Sequence, residues 1–195
     1  MLRKTFNPAD HWKLAKASYF WPFAKAALTG FKNNDNRFYI KETLGKGRGL
    51  FTKIPFKKGE LVLIMRGPTR YFKAETPEEC YVYPDWFSVD KNIWIEPGKV
   101  HNFMNHSCDP NLGLKGNREF VARRDIKADE ELCFDYSTTD DELPWSFACA
   151  CGVEKCRGTV GPIQHLTREQ FEGIMPFVPP YFQKVYERYH TRRPD

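Results

Sequence analysis

From Phe38 onward the chain is written in short apolar runs, each cut off by glycine, proline or charge. Phe38-Tyr39-Ile40, Gly49-Leu50-Phe51 and Leu61-Val62-Leu63-Ile64-Met65 come first, with Phe56-Lys57-Lys58-Gly59-Glu60 as a turn among them. Tyr81 to Ile95 alternates aromatic and polar residues, the pattern of half-buried strands. Phe120-Val121-Ala122 and Leu132-Cys133-Phe134 follow, joined through the turn Lys127-Ala128-Asp129-Glu130. Runs of this kind between turn residues read as strands, so the body is mostly β with many short strands. Helices are expected as short pieces around it. Asn7 caps one, with Pro8 at its first position and Asp10 in its first turn. Thr76-Pro77-Glu78-Glu79 opens another, and Thr167-Arg168-Glu169-Gln170 is a capping box for a helix that Pro176 ends. Tyr181 to Tyr189 is the last.

With 195 residues, 41% hydrophobic and 15% aromatic, the chain can bury a real core and is not disordered. No stretch approaches the roughly 18 uninterrupted apolar residues of a membrane span. The basic start at Arg3 and Lys4 is not followed by a signal-type apolar segment, so the protein reads as intracellular, cytoplasmic or nuclear. Arg3, Lys4, Lys13, Lys16, Lys25 and Lys32 against Asp10 account for the whole formal net charge of +5. That basic N-terminal arm could touch nucleic acid or an acidic partner, but with no dense basic run a solvated helix face accounts for it better.

The chemistry-bearing residues fall into four groups. Gly45-Lys46-Gly47-Arg48-Gly49 can wrap a ligand in backbone groups, but lacks the spacing and the Lys-Ser/Thr end of a nucleotide loop. His101-Asn102-Phe103-Met104-Asn105-His106-Ser107-Cys108-Asp109-Pro110-Asn111 packs amides, imidazole, hydroxyl and thiol into a segment ending in turn residues. Glu130-Glu131-Leu132-Cys133-Phe134-Asp135-Tyr136 ends an apolar run on polar groups. Cys149, Cys151 and Cys156 lie within eight residues, too tight for a disulfide framework and apt as three soft metal ligands that want a fourth. Cys80 and Cys133 read as ordinary thiols, Cys133 as core.

Taken in order, the four groups resemble the SET-domain protein-lysine methyltransferases, with the cysteines similar to a post-SET zinc knuckle. The resemblance runs from about Arg37 to Gly161. It implies a SET fold, several small curled sheets with a knot-like crossing, over residues 37–144. A post-SET motif would follow at 145–162, between an N-terminal helical segment (1–36) and a C-terminal one (163–195). It implies S-adenosylmethionine bound by Lys46, Gly47, Arg48, Gly49, Asn105 and His106, and one structural Zn2+ on Cys108, Cys149, Cys151 and Cys156. Tyr136 would be catalytic, its hydroxyl aligning a lysine amine for in-line displacement. The substrate would be a lysine of a protein, histone tails being the family's commonest. Met65 and Phe134 would line the lysine channel, and phenylalanine at Phe134 implies more than one methyl added.

The sequence also departs from the family pattern. Ile64-Met65-Arg66-Gly67 stands where many members have Glu-Tyr-x-Gly, and Asn102-Phe103 where many have Arg-Phe. The stretch from Arg70 to Pro97 is short. These departures keep open a second class of reading, a catalytically silent, zinc-stapled SET-like module that binds a protein partner.

Overall fold

A hairpin built on two left-handed glycines opens the described body. Gly45 and Gly47 take φ of 78° and 74°, angles that a side chain makes costly. They fold strand β1 (Phe38–Thr43) back onto β2 (Gly47–Thr52), antiparallel, with Thr43 opposite Gly47 and Phe38 opposite Thr52. A computed structural model describes residues 35–73, 86–139 and 145–191 of the chain. The helix starts at Asn7 and Thr76, the N-terminal arm and Cys80 lie outside these residues.

The expected short strands are all there in the described regions. After β1 and β2 come β3 (Leu61–Ile64), β4 (Thr69–Tyr71), β5 (Phe87–Asp90), β6 (Ile93–Ile95), β7 (Asn105–His106), β8 (Leu112–Lys115), β9 (Glu119–Ala122), β10 (Cys133–Phe134), β11 (Phe147–Ala148) and β12 (Thr159–Val160). They form small sheets rather than one large one: β3-β9-β8 and β4-β6-β5 with three strands each, and the pairs β1-β2, β7-β10 and β11-β12. Among the described strands only β7 and β10 run parallel, pairing Asn105 with Cys133 and His106 with Phe134. No described helix is long and apolar enough to cross a membrane.

Small sheets bury their apolar faces against one another, which is why the alternating residues of each converge on one core. Leu50, Val62, Met65, Ile95, Leu112, Leu114, Phe120, Leu132 and Phe134 belong to it. At its centre the rings of Phe87, Phe120 and Phe134 meet, with centroids 5.4 Å apart for Phe87–Phe134 and 5.3 Å for Phe120–Phe134. Aromatic contacts of this geometry add to the burial itself.

The C-terminal part carries helix α1 (Arg168–Ile174) and helix α2 (Pro180–Thr191). The expected capping box is formed: Thr167 Oγ1 accepts from the Gln170 N–H at 3.2 Å, and Gln170 Oε1 accepts from the Thr167 N–H at 2.9 Å. Ile163, Leu166, Ile174, Val178, Phe182 and Tyr186 make a second core, on which Phe171 stacks against Tyr186 at 3.8 Å. Two features dock this part on the sheets. Phe177 fills the space where Gly113 has no side chain, since a Cβ there would stand 2.3 Å from the ring. Arg123 reaches across to donate to the Gly173 carbonyl at 2.7 Å.

Candidate active site and metal centre

The site is built on the parallel pair. β7 carries Asn105 and His106, and β10 leads directly into Asp135 and Tyr136, so two sequence groups separated by some thirty residues become neighbours. Asn111, at the end of the Asp-Pro-Asn turn, fastens them. Its buried amide donates to the Glu131 carbonyl at 2.7 Å and to Glu130 Oε1 at 3.0 Å, and its Oδ1 accepts from the Cys133 N–H at 2.9 Å. A buried amide satisfied this fully holds a backbone in place.

On one side lies the glycine loop. Glu131 is the link: Oε2 accepts from Lys46 Nζ at 2.6 Å and Oε1 from Asn105 Nδ2 at 2.7 Å. Asn105 Nδ2 also donates to the Arg48 carbonyl at 3.3 Å. Lys46, Arg48 and Asn105 are thus brought together, by a carboxylate that the residue patterns did not single out. Gly49 makes room for it, since a Cβ there would stand 2.6 Å from Glu131 Oε1 and 2.8 Å from Thr43 Cγ2. Gly47 differs: nothing crowds its missing Cβ, and its left-handed φ alone calls for glycine. The Arg48 guanidinium covers the Phe103 ring at 4.8 Å.

On the other side lies Tyr136. Its hydroxyl donates to the Met104 carbonyl at 2.9 Å, and its ring packs on Phe134 at 4.9 Å and on His106 at 5.4 Å. The Tyr136 N–H donates to His106 Nδ1 at 3.2 Å. A backbone N–H can only donate, so Nδ1 is the acceptor and the ring proton sits on Nε2. Burial pushes the His106 pKa down to about 4, the Asp135 charge opposing and the Arg157 and Lys46 charges assisting, so the ring is neutral at physiological pH. Nε2–H then points at Cys108 Sγ, 3.3 Å away. Phe134 and Met65 both lie in the main core, Met65 completely buried.

Asp135 caps the 3-10 turn Tyr136–Thr138 through its Oδ1, which accepts from the Ser137 N–H at 3.1 Å. The same carboxylate is gripped by Arg157 from the C-terminal side, with Nη2 to Oδ1 at 2.7 Å and Nη1 to Oδ2 at 2.8 Å. Such a two-pronged pairing is the strong form of an ion pair. Burial alone would lower the Arg157 pKa, yet the hydrogen bonds and charge of Asp135 outweigh it and hold Arg157 above its usual value. Arg157 was not signalled by any motif beyond its place next to Cys156.

The four cysteines converge. The Sγ atoms of Cys108, Cys149, Cys151 and Cys156 all lie within 4.8 Å of one another, Cys108 and Cys149 at 3.6 Å. Tetrahedral thiolates about 2.3 Å from a zinc ion would stand about 3.8 Å apart, so this spacing fits such an ion. Backbone N–H groups already point at the sulfurs, Arg157 to Cys108 and Gly158 to Cys156, each at 3.4 Å. Hydrogen bonds of this kind stabilise metal-bound thiolate. Cys133 stands apart in the core, where burial and then the Glu131 charge push its thiol up to about 12.

Comparison with known proteins places this geometry. Residues 47–137 match the family model described as SET domain. Over 160 residues the chain is 28% identical to the histone-lysine N-methyltransferase ATX2 of Arabidopsis thaliana, covering 67% of this chain and 14% of that protein. An H3 lysine-4 specific histone-lysine N-methyltransferase of Schizosaccharomyces pombe is 32% identical over 128 residues, 56% of this chain and 14% of that one. The chain therefore spans a small fraction of these relatives' length. A crystal structure of KRYPTONITE in complex with mCHH DNA, H3(1-15) peptide and SAH superposes with a TM-score of 0.51 at 22% identity, over 63% of this chain and 29% of that one, and so shares its fold.

Proposed function

Since the chain carries a SET domain, we propose that it is a protein-lysine N-methyltransferase that takes its methyl group from S-adenosylmethionine. The observation that carries this reading is the parallel β7-β10 pair, which packs the Tyr136 ring on His106 while Asn105, on the same strand β7, bonds the Arg48 carbonyl of the glycine loop. Lys46, Gly47, Arg48, Gly49, Asn105 and His106 would hold the donor. An ammonium, an amide N–H and backbone carbonyls suit the amino-acid end of such a molecule, which bears both charges. When bound, it supplies a methyl group on a positively charged sulfur, already activated for displacement.

The work left to the chain is alignment, the main requirement of an in-line displacement. A tyrosine hydroxyl suits that role. A phenol hydroxyl, which ordinarily ionises only near pH 10, can donate to one carbonyl and accept from a lysine amine. Met104 fixes the direction of the Tyr136 hydroxyl. Phe134 and Met65 would form the apolar wall of the lysine channel, and without a second hydroxyl there the amine has room for more than one methyl. The names of the relatives favour a histone tail as substrate and the nucleus as its place of action. One Zn2+ on Cys108, Cys149, Cys151 and Cys156 would be structural, since four protein ligands leave no open position.

Incubation with S-adenosylmethionine and histone H3 peptides, read by mass spectrometry, tests the reading. Product carrying two or three methyls is expected, and Tyr136→Phe should cut turnover by about 100-fold while leaving SAH binding intact. One observation favours the second reading, a silent partner-binding module: Met65 stands completely buried where the family pattern has tyrosine. SAH binding without any methyl transfer would establish that one instead.

A further inference from the structure

Hydrogen bonds link the four-sulfur cluster to Tyr136 along two routes that close into a ring. Cys108 Sγ accepts from His106 Nε2 at 3.3 Å, and His106 Nδ1 accepts from the Tyr136 N–H at 3.2 Å. On the other route Cys108 Sγ accepts from the Arg157 N–H at 3.4 Å. The Arg157 guanidinium grips Asp135 at 2.7 and 2.8 Å, and Asp135 caps the turn that begins at Tyr136. A side link strengthens this second route: Arg157 Nη2 approaches Ser137 Oγ at 3.4 Å, and Ser137 Oγ donates to the Gly161 carbonyl at 2.6 Å. The side chains of His106, Asp135 and Arg157 are 4%, 2% and 8% exposed, so water does not compete for these bonds.

We propose that Arg157 is a positioning residue that makes the placement of Tyr136 depend on the occupied four-sulfur cluster. The proposal rests on the methyltransferase reading for the role of Tyr136, but the ring itself does not. Two of the four sulfur ligands, Cys151 and Cys156, hold the segment that carries Arg157, and the backbone of that residue is bonded to a third ligand. An ion bound there fixes the guanidinium against Asp135. Loss of the ion frees residues 149–158, and Asp135 then loses the partner that keeps a buried carboxylate in place beside the turn. The Arg157 side chain bonds Asp135 and Ser137, so its effect on Tyr136 runs through the turn that Asp135 caps.

Arg157→Lys separates this role from simple stabilisation, because it keeps the charge but cannot form the two-pronged grip. The protein labelled with 3-fluorotyrosine gives a fluorine signal for Tyr136, identified by its absence in Tyr136→Phe. In the parent, removing zinc with a chelator should shift that signal, and adding zinc back should restore it. In Arg157→Lys the protein should still bind about one equivalent of zinc, but the Tyr136 signal should follow it much less than in the parent, since only the His106 route remains. Its kcat should fall about ten-fold or more, with KM for the peptide little changed. If Arg157→Lys does not fold, the double variant Asp135→Asn with Arg157→Met removes both charges together, and its Tyr136 signal should likewise follow zinc much less than the parent's. A parent signal that ignores zinc, or a variant signal that follows zinc as the parent's does, overturns the proposal. Because the fluorine measurement needs no turnover, a protein that shows the coupling yet methylates nothing would overturn the enzyme reading alone.

Discussion

Two carboxylates flank β10, and they are paired alike but housed differently. Glu131, two residues before the strand, holds Lys46 at 2.6 Å with both side chains 18% exposed. Asp135, immediately after it, holds Arg157 with both almost fully buried. A pair that water can reach contributes about 0–1 kcal/mol and is weakened by salt. A dry pair adds little more as a pair, yet breaking one side leaves a charge with nowhere to go. On the proposed reading, the first arrangement suits a mouth whose lysine and asparagine exchange partners when a ligand arrives. The second suits a joint that must not move.

Breaking the dry pair should have the largest effect. Asp135→Asn strands the Arg157 guanidinium and removes the charged cap of the Tyr136 turn, and should cost about 3–5 kcal/mol in urea unfolding of the zinc-loaded protein. Breaking the wet pair should leave the fold nearly untouched. Glu131→Gln keeps an acceptor for Asn105 but frees Lys46, and its unfolding free energy should change by less than about 1 kcal/mol. SAH binding measured by calorimetry should nonetheless weaken about ten-fold, because the donors are no longer held in place before the ligand comes. The smallest and sharpest change is Gly49→Ala, whose methyl would occupy the space of Glu131 Oε1. The carboxylate can swing away on its own torsions, so a few-fold loss of SAH affinity is expected with melting unchanged to within a few degrees. A large fall in melting temperature for either loop variant would mean that the mouth is as rigid as the joint.

The longer apolar strands and both C-terminal helices were legible because they rest on local signals, whereas the short strands β4, β7, β8, β11 and β12 were not expected. Gly45-Lys46-Gly47 makes its hairpin through backbone angles, and Thr167 with Gln170 makes its cap through side chains three residues apart. The four sulfurs were legible as a set only through family resemblance, since Cys108 stands 41 residues from Cys149 in sequence. Asn111, Glu131 and Arg157 stayed hidden. Asn111 looked like a turn residue and is also a buried bracket for β10. Glu131 and Arg157 are charged residues of the type usually found on solvated surfaces, and only the strand register and the folded tail supply their partners. The reason for Gly49 was hidden too: its place in the loop was plain, but the side chain that needs its space comes from 82 positions further on.

Arg157 and Cys108 are 49 residues apart in the chain, which gives the molecule a history as well as a geometry. During synthesis β1 to β10 leave the ribosome before Arg157. At about 5–20 residues per second, Arg157 follows Cys108 by about 2–10 seconds. For most of that interval the nascent protein has Cys108 without the other three sulfurs, and to its end Asp135 has no cation. On the reading proposed above, a freshly made chain is born switched off, and it becomes competent only when its tail arrives and finds zinc.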